Sequence, residues 1–494
     1  MTAAIVEQPA HGPPSGYDYV RIALASAHQQ YSKRNPISEK KHKESFAHLP
    51  GGNTRSVLHS DPFPLTFASG EGSTLTDVDG HTYTDFLGEF SAGIYGHSHP
   101  RILKAVQDAM SQGWNYGGHC VYEKHLAAKV VERFKPSGIE LVRFTNSGTE
   151  SNTSAVGAAL AITGRKKVLV FSNGYHGGTL VFPIGLMKGE LVCAMNLPHE
   201  FIYAPYNNIE ETREIIDSLP PSSLAAILVE PIQGSGGCRP ATTEFLRYLR
   251  GCADAEGAIL ILDEVMASRL AFSGYSSSLG IEADILTLGK YVGGGMTFGA
   301  FGGIRSIMEL FDPTRSKLFH PGTYNNNVIT MAAGIEGLSI YDAKEVERLN
   351  KLGEQLKAEL QQIFISAGFY PDQFPGPQGD IIEIDSLNGQ CLARCEGGDG
   401  TFQLPRMFVT GRGSMINIRF SGSDAAMWQA LLYQYMLAHN IHIAVRGYTP
   451  LHLVLTNKDI QLYVSEVAAF PRHFFRSSHG AQSLLPDIKL QPRV

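Results

Sequence analysis

The chain has 494 residues, 43% hydrophobic and 18% charged, with a formal net charge of −6; that length suggests two or three domains. No basic stripe of a nucleic-acid binder is present, and the short basic stretch Ser38–Lys43, which includes Glu39, reads as a solvated helix face. No apolar run reaches the ~18 residues of a membrane span, and Met1–Gly16 lacks the basic start and apolar core of a signal peptide, so the expectation is a cytoplasmic globular protein with no membrane or nucleic-acid partner.

In chain order, a flexible start to about Pro14 precedes a helix expected over Tyr17–Tyr31, then a Gly/Pro loop at Leu49–Gly52. Turn signals at Ser69–Gly70 and Asp79–Gly80 separate alternating segments, Thr74–Val78 and Thr82–Phe86, which predict a small antiparallel meander. From about Pro100, helical patterns alternate with short apolar runs at Leu141–Thr145, Lys167–Phe171, Ala225–Glu230, Ile259–Asp263 and Ile285–Leu288. That rhythm predicts an α/β fold with a mainly parallel sheet covered by helices on both faces. A long helical stretch is expected at about Thr330–Leu360. The remainder mixes strands and helices, and its polar, Gly-rich stretch Leu387–Gly400 reads as a surface insertion. This last part is expected to fold with the meander as a smaller α+β unit, giving segments 1–95, 96–350 and 351–494. Six cysteines are scattered; only Cys391 and Cys395 lie close together, without a second pair at zinc spacing, so free thiols are expected and no metal.

Open α/β sheets bind ligands beyond the carboxyl ends of their strands. After Leu141–Thr145 comes Asn146-Ser147-Gly148-Thr149-Glu150. Ser147 and Glu150 have capping-box spacing, and hydroxyls beside free amides at a helix N-terminus suit a phosphate; a plain helix cap fits equally. After Lys167–Phe171 comes Gly174-Tyr175-His176-Gly177, which can present a flat ring or form an ordinary turn. Glu230-Pro231-Ile232-Gln233-Gly234 offers an acid that can position a ligand or cap a loop. Asp263 ends an apolar strand, where a charge needs a partner: a protonated pyridine nitrogen, or a local Arg such as Arg269. Lys290 lies between an apolar strand and Gly293-Gly294-Gly295. Burial there would lower its pKa and free an amine to attack an aldehyde.

Taken in this order, Asn146–Glu150, Gly174–Gly177, Glu230–Gly234, Asp263–Met266 and Leu288–Gly295 resemble the class III aminotransferases that use pyridoxal 5′-phosphate on the fold-type I scaffold. The resemblance spans roughly Pro50 to Leu455 and is strongest to the glutamate-1-semialdehyde aminomutase-like group. It implies a large cofactor domain with a seven-stranded sheet and a smaller domain from the two ends of the chain. Lys290 would carry the cofactor as a Schiff base and shuttle the substrate proton, and Asp263 would pair the pyridine nitrogen. Val265 and Tyr175 would face the two sides of the ring, with His176 and Glu230 close by. Ser147, Gly148 and Thr149 would hold the phosphate, joined by Thr323 of a neighbouring subunit, which implies a homodimer with shared active sites.

The group contains both aminomutases and transaminases. Pro50-Gly51-Gly52-Asn53-Thr54-Arg55 resembles its transaminases for β-amino acids, in which the Arg grips a carboxylate. Phe90 stands where aminomutases have Trp, and Arg446 matches a second carboxylate contact. The resemblance thus implies ping-pong transfer from an amine or β-amino acid donor to a keto acid acceptor, with intramolecular aminomutase chemistry as the alternative.

Overall fold

The computed structural model describes residues 16–187, 195–315, 317–370, 382–383, 392–393, 402–403 and 405–475. The apolar runs form a seven-stranded sheet in the order Leu141–Thr145, Gly299–Gly303, Ile285–Gly289, Ile259–Asp263, Leu224–Val229, Lys167–Phe171 and Glu200–Ala204. All neighbouring pairs are parallel except those made by Gly299–Gly303.

Alternation along the strands feeds two cores. Val168, Val170, Ala226, Leu228, Ile261 and Ile285 pack on one face with Val156 and Ala159 of the helix Gly148–Thr163. Leu169, Phe171, Ile227, Val229, Leu260 and Leu262 point to the other face, where Phe245 and Leu249 of the helix Thr243–Glu256 cover them. Buried on both sides, these strands read as continuous apolar runs.

Two sheet strands escape the sequence reading. Glu200–Ala204 carries a charge and half-buried residues at an edge. Gly299–Gly303 (Gly-Ala-Phe-Gly-Gly) lacks the β-branched residues that mark a strand. Its glycines are required by close approach: a Cβ on Gly299 would run into the Ser147 carbonyl and the Thr145 hydroxyl. The long helical stretch expected at Thr330–Leu360 is made of two helices, Val328–Ile340 and Ala343–Ser366. Tyr341 leaves helical geometry (ψ 63°), and Asp342 caps the second helix by accepting the Glu345 amide at 3.0 Å.

The first helix runs Gly16–Arg34, and the meander forms from Phe67–Glu71, Thr74–Asp77 and Thr82–Asp85. Ile441–His442, from near the other end of the chain, extends it in parallel against Thr84–Asp85. Met407–Arg412, Met415–Phe420 and Tyr448–Pro450 make a second antiparallel sheet, so a smaller α+β unit is built from both ends of the chain. The expected loop at 387–400 lies outside the described residues, except for Leu392–Ala393, which pairs with Ile382–Glu383 and Phe402–Gln403. Cys391 and Cys395 also lie outside them. Cys120, Cys238 and Cys252 are free thiols.

Gly299→Ala is expected to destabilise the protein by about 1–3 kcal/mol through overpacking, read as a fall in the urea unfolding midpoint. Gly251→Ala, in open space on the helix Thr243–Glu256, is the control. It is expected to raise stability by about 0.5–1 kcal/mol.

Candidate active site

Five strand ends converge on one edge of the sheet. Beyond Thr145, Ser147 is the N-cap of the helix Gly148–Thr163, its hydroxyl accepting the Glu150 amide at 3.2 Å. The reciprocal half of a capping box is not made. Glu150 instead accepts from the amide and side chain of Asn146, at 2.9 and 3.1 Å. Among the described residues, the amides of Gly148 and Thr149 make no hydrogen bond within the protein. A Cβ on Gly148 would lie 2.8 Å from Val265, and one on Gly177 would lie 2.6 Å from the Thr149 Cα. These contacts bring the cap, the turn after Asp263 and the Tyr175 loop against one another.

Asp263 is 5% exposed. Its Oδ2 accepts from Asn152 Nδ2 at 2.8 Å and is hydrogen-bonded with His176 Nδ1 at 2.9 Å; its Oδ1 accepts the Val265 amide at 3.0 Å. Thr287 donates to Asn152 Oδ1 at 2.7 Å, which turns the amide nitrogen toward Asp263. Arg269, the alternative partner, is fully buried elsewhere, donating to Ser414 Oγ at 3.0 Å and to the Leu451 carbonyl. His176 is buried behind the acid. Asn152 and Thr287 were not legible as site residues. Their only signal is a polar side chain on an otherwise apolar helix face and strand.

Glu230 accepts the Tyr175 amide at 2.9 Å and the Gly234 amide at 3.0 Å, so it ties two loops together. Burial pushes its carboxyl above the usual range; His176 opposes this and Asp263 adds to it. Tyr175 is 45% exposed, with its backbone fixed by Glu230.

Lys290 follows Gly289 with φ 52°, a left-handed conformation that non-glycine residues rarely hold outside functional sites. Among the described residues no hydrogen bond or ion pair engages its amine. Burial pulls its pKa from 10.5 down to about 8, against the opposing pull of Glu89, Asp263 and Glu230.

Within electrostatic reach of Lys290, Arg55 is ion-paired with Glu89, and its guanidinium lies 5.5 Å from the Phe90 ring centroid. Glu89, Phe90 and Ser91 all have positive φ (48°, 53° and 79°), and Ser91 is held by the buried Tyr448 hydroxyl at 2.6 Å. The sequence reading missed Glu89 and Tyr448. Arg446 is exposed in the turn before Tyr448, and Thr323 is exposed in a loop whose Asn325 accepts from Asn146 at 3.0 Å.

This set matches what pyridoxal 5′-phosphate needs: an anion cradle where Cβ atoms would intrude, a buried carboxylate for a ring N–H, and an amine of lowered basicity.

In the cofactor-free protein, the unfolded chain keeps the Lys290 proton to about 10.5 and the folded chain only to about 8. Between those values the unfolded state binds more protons, so stability rises with pH. Lys290→Met is therefore expected to stabilise the cofactor-free protein by roughly 3 kcal/mol at pH 7, with the gain shrinking from pH 8 to 10.5 in urea titrations. Asn152→Ala, which strips a donor from Asp263, is expected to weaken cofactor retention about ten-fold, measured by equilibrium dialysis.

Comparison with known proteins agrees. The model of the family described as aminotransferase class-III matches residues 57–386. The chain is 42% identical over 468 residues to the beta-phenylalanine transaminase of Variovorax paradoxus, covering 94% of this chain and 98% of the relative. The crystal structure of the beta-phenylalanine aminotransferase from that organism superposes with a TM-score of 0.81 at 40% identity, covering 92% of this chain and 98% of the other. A solved transaminase with PLP bound gives 0.75 at 28% identity, covering 90% and 99%. The glutamate-1-semialdehyde 2,1-aminomutase of Methanothermobacter thermautotrophicus is 36% identical over 323 residues, covering 64% of this chain and 76% of the relative. The chain belongs to the class III aminotransferases and is a transaminase dependent on pyridoxal 5′-phosphate.

Proposed function

We propose that this transaminase takes an amino group from a β-amino acid or related amine and gives it to a keto acid, with Arg55 gripping the carboxylate. The observation that carries this reading is Arg55 at the mouth of the site, against the Phe90 ring and within electrostatic reach of Lys290. A planar guanidinium suits bidentate carboxylate binding, and the beta-phenylalanine transaminase of Variovorax paradoxus is a relative over nearly the whole chain.

Bound pyridoxal 5′-phosphate supplies an aldehyde carbon and an electron-withdrawing ring. Ser147, Gly148 and Thr149 hold the phosphate at the helix N-terminus, where the dipole favours an anion. Asp263, oriented by the Asn152 side chain and the Val265 amide, would accept the ring N–H. Val265 and Tyr175 bound the two ring faces, while Glu230 fixes the Tyr175 loop and His176 backs Asp263. Lys290 is the point of covalent attachment, because burial favours its neutral amine. Once released, the same amine takes the proton from the donor's amino-bearing carbon and later returns one to the acceptor carbon. Arg446 offers a second carboxylate contact.

The working unit in this reading is a homodimer, with Thr323 reaching the partner's phosphate site. Its support is exposed apolar surface beside that loop: Phe319 is 89%, Val121 70% and Tyr324 61% exposed. Asn326 joins the two segments by donating to Glu123 at 3.0 Å. Domain limits near residues 95 and 350 and a cytoplasmic location complete the proposal; the meander's pairing with Ile441–His442 supports joining the chain ends. No described helix is long and apolar enough to cross a membrane.

A donor panel read by the absorbance of the bound cofactor tests this reading. A β-amino acid such as β-phenylalanine is expected to convert the cofactor and release a free keto product; an isomerised amino acid as the only product overturns the proposal. Arg55→Ala is expected to raise KM for the β-amino acid about ten-fold or more, the scale of a charge-assisted contact, while KM for an amine lacking a carboxylate changes little.

A further inference from the structure

Arg55 is not free in this structure. Its Nη1 is ion-paired with Glu89 Oε1, and the two side chains are 44% and 56% exposed. An internal carboxylate thus already engages this guanidinium.

Backbone geometry puts it there. Glu89 is the first of three consecutive non-glycine residues in the left-handed region, a conformation that persists only where the surroundings over-determine it. Upstream, the amides of Leu87 and Gly88 donate to the Asp85 carboxylate at 2.8 and 3.2 Å. Asp85 is itself hydrogen-bonded with His97 at 2.9 Å and His442 at 3.0 Å. Downstream, the Gly93 amide donates to the Gly88 carbonyl at 2.9 Å, and Ser91 is tied to Tyr448. The turn therefore fixes the backbone from which the Glu89 side chain reaches Arg55. Glu89 is also the largest single charge favouring the Lys290 ammonium, ahead of Asp263, which puts its carboxylate on the side of the site.

We propose that Glu89 is a specificity-determining residue that stands in for a substrate carboxylate on Arg55, displaced by acid-bearing substrates and left in place by uncharged ones. The physical gain is that one pocket accepts both. An anionic ligand exchanges one carboxylate for another on the guanidinium. A neutral ligand meets a closed ion pair instead of a lone charge, which would be costly to cover with apolar groups. The inference rests on the proposed role of Arg55.

The test uses the holoenzyme and two non-reacting probes, 3-phenylpropanoate and 3-phenylpropanamide, which match in shape and differ in charge, with dissociation constants from calorimetry. Glu89→Gln is expected to tighten the acid roughly three- to five-fold, the size of a half-exposed ion pair, and to leave the amide within about two-fold. Glu89→Asp keeps the charge on the same backbone and is expected to bind the acid within about two-fold of the parent. An unchanged acid affinity in Glu89→Gln, a parallel shift of both probes, or a gain in Glu89→Asp equal to that in Glu89→Gln overturns the inference. Arg55→Ala separates the two claims. If it leaves acid affinity unchanged, the carboxylate grip itself fails; if it weakens the acid while Glu89→Gln does not tighten it, only the role of Glu89 falls.

Discussion

A carboxylate at the end of a buried strand is costly unless donors surround it, and the way Asp263 is satisfied sets the geometry of everything near it. Its donors come from the helix after the first sheet strand (Asn152), the loop after the second (His176) and its own following turn (the Val265 amide). Thr287, on the next strand, steers Asn152. Meeting the needs of one charge therefore fixes the relative positions of four elements that are distant in sequence. The helix that offers the anion cradle cannot slide without leaving Asp263 short of a donor.

A second buried carboxylate does the same work at the mouth. Burial opposes ionisation of Asp85, yet its bonds with His442 and His97 hold its pKa well below the usual carboxylate range. His452, hydrogen-bonded with the Asp85 carbonyl at 2.7 Å, adds another tie. Those residues come from both ends of the chain. The pocket edge carrying Phe90 and Glu89 thus exists only where the meander and the C-terminal part have joined.

The parallel strands were legible because burial on both faces forces unbroken apolar runs, and the residues after each strand end were legible because ligands collect there. Lys290, Asp263, Tyr175 and Ser147 lie where the sequence placed them along the sheet edge. What stayed hidden depends on partners far away in sequence. Asn152 meets Asp263 across 111 residues and Thr287 across 135; nothing local separates such an Asn from one exposed on a helix. Glu89 gains meaning only from Arg55, 34 residues earlier. The strand Gly299–Gly303 was missed because its composition answers to close packing rather than to strand propensity. The break at Tyr341 was missed because no Gly or Pro marks it.

The placement of Lys290 bears on the order in which the site assembles. It leaves the strand Ile285–Gly289, and the chain returns beside that strand as Gly299–Gly303, an antiparallel pairing between near neighbours in sequence. Asp263 and the helix cap reach their places through parallel crossovers and contacts over a hundred residues long. Local pairings close early and distant ones late, because each distant contact must first overcome loop-closure entropy. The strand that ends before Lys290 thus belongs to the most local pairing of the sheet, while the helix Gly148–Thr163 reaches Asp263 only over a long separation. Firm cofactor capture is therefore expected to follow closure of the Asn152–Asp263 contact, so that the growth of the bound cofactor's colour during refolding reports on long-range assembly.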